Sequence, residues 1–284
     1  MNYYNENDTQ LVAWLRNLIE AGLLPEGDVD DRSITDVRGS DLKGYTQCHF
    51  FAGIGGWPLA LALAGWPTTR PVWTGSCPCQ PFSNAGKQGG TNDPRHLFPE
   101  FRRLIAECNP PTIIGEQVAS KSGRAWLAGV RGDLQTLGYG VGAADICGAS
   151  IGSPHIRQRL YWVADAGLQQ RGGRSTVREA EGQHGRPTTA DQGSSQAGGG
   201  ASGVREVNES GDGSISNGPW DGAVYIDCLD GKSRRVEPRI SPLADGVPGR
   251  VVKLRAYGNA IIPQVAAEFV RAFMEIEEGR TGIR

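Results

Sequence analysis

Cys79, set between two prolines in Pro78-Cys79-Gln80-Pro81-Phe82-Ser83, is the side chain here best suited to act as a nucleophile. A thiolate is a strong nucleophile at neutral pH. Flanking prolines restrict the backbone and favour a rigid, exposed presentation. An isolated cysteine reads equally well as a small buried hydrophobe, so its neighbours decide. Cys77 lies two residues away, but no further Cys or His stands at ligand spacing, so no metal site is expected. Glu116 closes an apolar run, Thr112 to Ile114, where a carboxylate faces the crevice of an open sheet. A raised pKa there makes it a proton donor; the plain alternative is an ordinary strand-end acid. Arg157 and Arg159 alternate just before another apolar run, and in an extended chain both point to one side. They suit a substrate carbonyl or phosphate, or else form a pair of surface arginines.

These groups need elements to hold them. Cys48 to Ala52 is a strand candidate, and Phe51-Ala52-Gly53-Ile54-Gly55-Gly56 makes the turn after it. Pro58 to Ala64 reads as helix and Val72 to Thr74 as the next strand, so Cys79 follows on a loop. Glycines at such a turn let backbone N–H groups approach a ligand, although the pattern is not GxGxxG and a plain tight turn remains the other reading. A ribose usually requires a carboxylate near the end of the second strand. No Asp or Glu lies between Asp41 and Asp93, and the unit is too short for a separate second strand. Either no ribose is bound or the acid comes from elsewhere, for instance from the acidic segment 28–41 wrapping round.

Residues 9–22 carry Leu11, Val12, Leu15, Leu18 and Ile19 at helical spacing and read as a packing helix. Further helices are expected at 98–108, 124–137 and 261–273, and a further strand at 160–164. Strands alternating with helices predict an α/β fold with a mainly parallel sheet covered on both faces. The expected divisions are 1–46, a helix and acidic segment packing on the catalytic domain; 47–166, the catalytic and cofactor-binding domain; 167–219, a low-complexity insertion; 220–255, a basic segment; and 256–284, a returning C-terminal segment. Residues 167–219 hold too few large apolar groups to fold alone.

The 284-residue chain has a net charge of −2, which argues against charge-driven coating of nucleic acid but not against a local basic cleft. Six cysteines spread over this length point to a reduced compartment rather than a disulfide framework. With no apolar span and no signal-like start, the expected location is the cytoplasm, without a membrane partner.

Taken in order, these pieces resemble the C5-cytosine DNA methyltransferase family (Dcm-like), with a shortened cofactor-binding region. Phe51 to Gly56 looks like the cofactor turn, Pro78-Cys79-Gln80-Pro81-Phe82-Ser83 the catalytic loop, and Glu116-Gln117-Val118 the family's Glu-Asn-Val. His155-Ile156-Arg157-Gln158-Arg159 stands for Gln-x-Arg-x-Arg, and Gly258-Asn259-Ala260-Ile261-Ile262-Pro263 for the closing motif that returns to the cofactor site. The resemblance implies a Rossmann-like fold that uses S-adenosyl-L-methionine and takes double-stranded DNA as partner, as a monomer or homodimer. It implies that Cys79 attacks C6 of a flipped cytosine, that Glu116 contacts N3, that Arg159 holds O2, and that Arg157 supports a loop or a phosphate. Phe51, Ala52, Gly53, Ile54, Gly55, Gly56, Pro78, Asn259 and Ala260 would hold the cofactor, and Gln80, Ser83, Gln117, Arg235, Arg239 and Lys253 the substrate. The family normally places two more strands, bearing acids for ribose and adenine, between the glycine turn and the catalytic loop; here only 26 positions separate Gly53 from Cys79. An RNA cytosine methyltransferase and a non-catalytic DNA-binding relative stay open, as do the target sequence and the setting, restriction–modification among them.

Overall fold

The computed structural model describes residues 1–78, 97–153, 156–169, 224–227, 231, 233–236 and 256–281. The chain divides into two units, 1–171 with 241–284, and 172–240. In the first, the elements run β1 (Asn2–Asn5), α1 (Thr9–Glu20), β2 (Gly27–Asp30), β3 (Gln47–Phe50), α2 (Gly56–Ala64), β4 (Val72–Gly75), α3 (Phe98–Cys108), β5 (Thr112–Val118), α4 (Lys121–Thr136), β6 (Gly140–Cys147), β7 (Gln158–Asp165), the short α5 (Ala166–Gln169) and α6 (Pro263–Thr281). In the second, β8 (Val224–Asp227) and β9 (Ser233–Val236) form an antiparallel hairpin.

Seven strands make one sheet in the order β2-β1-β3-β4-β5-β7-β6. The first five are mutually parallel, and β7 runs antiparallel to both β5 and β6. The α/β, mainly parallel, Rossmann-like architecture expected from the sequence is therefore present. Alternation along the strands sorts the core. On one face Tyr3, Cys48, Phe50, Trp73 and Ile113 pack with Phe98, Phe101, Leu104 and Ile105 of α3 and with Trp126, Val130 and Leu134 of α4. Ile34, Val37 and Leu42, between β2 and β3, join that face. On the other, Val72, Ile114, Tyr161 and Val163 pack with Trp57, Ala60 and Leu61 of α2 and with Val265, Val270 and Phe273 of α6. Tyr4 packs on this second face with Leu15 of α1 and Leu24. Each large side chain buried in this way stabilises the fold by about 1.5–3 kcal/mol.

Residues 1–46 differ from expectation. The sequence reading had them as a helix and an acidic segment packed on the catalytic domain, and found the cofactor unit too short for a second strand. They instead supply two strands of the sheet itself, with Asn2 to Asn5 paired in register with Gln47 to Phe50. The four-residue strand Asn2-Tyr3-Tyr4-Asn5 is buried throughout, and such a short run carries too little periodicity to announce itself. The second strand is thus not missing; it precedes the glycine turn in the chain. The helix of 9–22 is present as α1, with Asp8 capping it by accepting from the Gln10 and Leu11 N–H groups.

Connection hand follows from these faces. β2 to β3 and β4 to β5 both step toward β6, and both cross on the α3 face. β3 to β4 steps the same way but crosses on the opposite face, through α2. β1 to β2 steps backward with α1 on the α2 face, which gives it the hand of the first two. Nearly all parallel crossovers are right-handed, so β3–α2–β4 is the exception, a left-handed crossover.

Candidate active site

β3 and β4 lie side by side, and the segments leaving their carboxyl ends form the site. After β3 the chain turns through Phe51 and Gly53, with φ 52° and 57°, and Gly55 caps α2 at φ 85°. A side chain at Gly55 would strike Leu24, with Cβ 2.6 Å from its Cδ1, and one at Gly56 would lie 2.8 Å from Ile261 Cγ1. The two glycines thus let Leu24, from the N-terminal segment, and Ile261, from the closing motif, reach the turn. Ile261 shows that Gly258–Pro263 does come back to the glycine turn. Asn259 itself is exposed, and Ala52, on the turn, is buried.

Glu6, the residue after β1, places a carboxylate at the same edge. Its Oε2 accepts the Gly53 N–H at 2.9 Å and its Oε1 the Asp8 N–H at 3.0 Å. β1 is the neighbour of β3 on the side away from β4, where a ribose acid stands in nucleotide sites of this kind. Sequence reasoning looked for that acid after the glycine turn, then in 28–41. Asp28 and Asp30 lie in β2, one strand further out, where Asp28 accepts the Tyr45 hydroxyl and Asp30 is held by Tyr3 and Arg32. Glu6 was passed over; the usable signal was an acid directly after an aromatic-rich tetrapeptide.

A positive-φ turn at the carboxyl end of β3 with a strand-end carboxylate beside it fits a nucleoside-type cofactor such as S-adenosylmethionine, and Glu6 with the turn residues Phe51 to Gly56 are those that could hold it.

Beyond β4 the described chain reaches Ser76, Cys77 and Pro78; Cys79, Gln80 and Ser83 lie outside the described residues. Cys77 is fully enclosed and burial pushes its thiol up, which suits packing and not nucleophilic work. The neighbouring strand β5 presents Glu116, 8% exposed. Arg159 of β7 holds its Oε1 at 2.7 Å. In the antiparallel pairing Glu116 faces Tyr161 and Arg159 faces Val118, so Arg159 and Glu116 are diagonal neighbours on one face. Burial raises the Glu116 carboxyl to about 6, against the opposing pull of Arg159, Arg157 and a hydrogen bond from Ser76. That is within reach of neutral pH, as a proton donor needs.

Arg157 does other work. Its Nη2 donates to the carbonyls of Gly258 and Ala260 at 2.8 and 2.6 Å, tying the closing motif to the start of β7. Gln117 is buried, its amide oxygen accepting the Val118 N–H, on the sheet face opposite Glu116. Arg235 falls in β9, and only its backbone is described; His155, Arg239 and Lys253 lie outside the described residues. Among the described residues no group of three or more His, Cys, Asp or Glu side chains is placed to hold a metal, and no helix is long and apolar enough to cross a membrane.

A mainly parallel sheet with a glycine turn on one strand and a buried carboxylate two strands away defines a Rossmann-like, methyltransferase-type α/β fold. Residues 71–181 match the family model for C-5 cytosine-specific DNA methylases. The Type II methyltransferase M.NgoMIV of Neisseria gonorrhoeae is 54% identical over a stretch covering 26% of this chain and 36% of its own. M.HhaI of Haemophilus parahaemolyticus is 27% identical over 167 residues, 45% of this chain and 51% of that one. A solved structure, a DNMT2 mutant of Spodoptera frugiperda, aligns with a TM-score of 0.38 at 20% identity, over 57% of this chain and 41% of that one. Over 71–181, then, the chain is similar to the C-5 cytosine-specific DNA methylases. It spans about half or less of the length of the curated relatives it matches.

Proposed function

We propose that the chain is a DNA cytosine C5-methyltransferase of Dcm-like type, acting on double-stranded DNA from a cytoplasmic location. The observation that carries this reading is the crevice itself: the Glu116–Arg159 pair stands beside the strand that leads into Pro78-Cys79, with the glycine turn and Glu6 on the adjoining strands.

S-adenosylmethionine supplies a methyl group on a sulfonium. In this reading Glu6, Phe51 to Gly56, Pro78, Asn259 and Ala260 hold that cofactor, with Glu6 meeting the ribose hydroxyls. A target cytosine leaves the duplex and enters the crevice. The Cys79 thiolate adds to C6, and the displaced ring electrons are stabilised by the Glu116 proton at N3 and by Arg159 at O2. C5, now electron-rich, would take the methyl group as the sulfonium leaves as a thioether. Loss of the C5 proton, expulsion of the Cys79 thiolate and return of the N3 proton to Glu116 would restore the ring as 5-methylcytosine. Arg157 acts at one remove, through the closing motif it ties down. Gln80 and Ser83 are assigned to the DNA side of the loop, and Gln117 supports the end of β5 from the other face. Arg235, Arg239 and Lys253 belong to the basic segment proposed to meet the phosphate backbone.

The non-catalytic alternative rested on a missing cofactor acid; the Glu6 carboxylate beside the glycine turn supports the catalytic reading over it. An RNA substrate is separated by experiment. Labelled methyl should pass from S-adenosylmethionine to C5 of cytosine in duplex DNA and vanish with Cys79→Ala. A folded protein that binds the cofactor but leaves diverse duplex DNA unlabelled, while labelling structured RNA or nothing, sinks the reading.

A further inference from the structure

Ser76 stands between two groups that sequence reasoning did not connect. The Trp57 indole nitrogen lies 2.9 Å from Ser76 Oγ. An indole N–H can only donate, so the serine oxygen accepts there and its own proton is directed elsewhere. The group level with it on the next strand is the Glu116 carboxylate, whose proton affinity the serine lowers. Strand pairing brings the two together: Thr74 of β4 is level with Ile114 of β5, and two further steps on each strand reach Ser76 and Glu116. Trp57 is itself fixed, 4% exposed and edge-on to Tyr161, which is paired with Glu116. The Trp57 bond from the first turn of α2, just beyond the glycine turn, therefore leaves the Ser76 hydroxyl proton for the acid of the crevice beside it. Arg159 holds that acid from the other side.

We propose that Ser76 is a positioning residue for Glu116: its hydroxyl, oriented by the Trp57 indole and level with Glu116 across the strand pair, fixes the carboxyl in the direction it presents to a base. This rests on the reading of Glu116 as the proton donor to the base. The groups facing Glu116 are Arg159 and Tyr161 of β7, Arg157 just before it, and Ser76 just beyond β4. Loss of the Ser76 hydroxyl leaves the two arginines alone against burial, so the carboxyl holds its proton to higher pH. A donor that must be protonated then stays active to higher pH as well.

The full-length chain is compared as wild type, Ser76→Ala, Ser76→Thr and Trp57→Phe. Two readouts are taken: the pH profile of kcat for methyl transfer, and an infrared titration of the protonated-carboxyl band that disappears in Glu116→Gln. Ser76→Ala should move the alkaline limb of kcat, and the infrared midpoint, up by about one pH unit, the size of one hydrogen bond to a charged group. Trp57→Phe should move both the same way by less, and Ser76→Thr should restore the wild-type values. The cofactor KM should stay unchanged in Ser76→Ala. A wild-type infrared midpoint in both Ser76→Ala and Trp57→Phe overturns the proposal. Absence of methyl transfer in the wild type would instead strike the functional reading, and the infrared midpoints would still decide the role of Ser76.

Discussion

Residues 1–46 and residues 71–165 build one sheet by different rules. The second stretch follows the order of the C5-cytosine DNA methylases it resembles, and the match to that family's model begins at residue 71, just before β4. The first carries the two strands which that family places after the glycine turn, but here they come before it. In space they lie where they are needed: β1 beside β3, β2 outside β1. What makes a cofactor edge is the adjacency of strands, not the order in which the chain visits them. The change leaves a mark. With its usual successor moved away, α2 must lead to β4 instead, and the β3–α2–β4 connection takes the disfavoured hand. The glycine turn and the closing motif fix α2 on the α6 face, with Gly56 against Ile261; that packing outweighs the preference for a right-handed crossover.

Two carboxylates, one from each stretch, make the comparison testable. In the proposed reading Glu116, from the conventional half, meets the base, and Glu6, from the transposed half, meets the cofactor. Glu116→Gln keeps the shape but removes the transferable proton, so kcat should fall about 100-fold or more, the scale of losing one group that stabilises developing charge. Cofactor affinity, read by calorimetry, should stay within about twofold. A variant that keeps wild-type kcat would remove Glu116 from the chemistry. Glu6→Gln should do the reverse. Exchanging a charged acceptor of two ribose hydroxyls for an amide should weaken cofactor binding about 10- to 100-fold, with little change in kcat at saturating cofactor. If binding is unchanged, the ribose acid lies elsewhere, and the Asp30-Asp31 pair at the end of β2 is the next place to look.

The conventional half was legible from its residues because its signals are local. Phe98 to Cys108 shows helical spacing, and the helix spans those same residues. Glu116 after an apolar run was placed at a strand's carboxyl end, although β5 runs on to Val118. The transposed half was opaque for physical reasons. A strand of four residues that begins and ends in polar Asn2 and Asn5 shows no alternation to detect, and its parallel partner β3 begins over 40 residues later. Non-local pairing of this kind leaves no trace in periodicity. Ser76 and Trp57 were missed for the same reason, since their hydrogen bond spans 19 positions. The division of labour between the two arginines was likewise hidden: alternation put both on one side, while only the fold sends Arg157 to the carbonyls of Gly258 and Ala260.

The smallest expected effect bears most directly on the comparison. If strand adjacency alone defines the cofactor edge, residues 1–46 can be moved to the loop between α2 and β4, restoring the family's order, without disturbing the site. The geometry permits it, because the loop and the relevant chain ends meet at one edge of the sheet. The Thr46 N–H donates to the Met1 carbonyl at 2.9 Å, and the Gln47 side chain donates to the Pro67 carbonyl at 3.2 Å. Joining Pro67 to Met1 and Thr46 to Arg70 through short Gly/Ser linkers, whose closure entropy grows only slowly with length, would remove the left-handed crossover. The rearranged chain should bind the cofactor within about twofold of wild type and retain the Glu6→Gln penalty. Its melting temperature should be no lower, since one disfavoured connection is gone. A rearranged chain that folds but no longer binds would show that chain order matters in its own right, with the β3–α2–β4 crossover holding the glycine turn in a shape that adjacency alone does not impose.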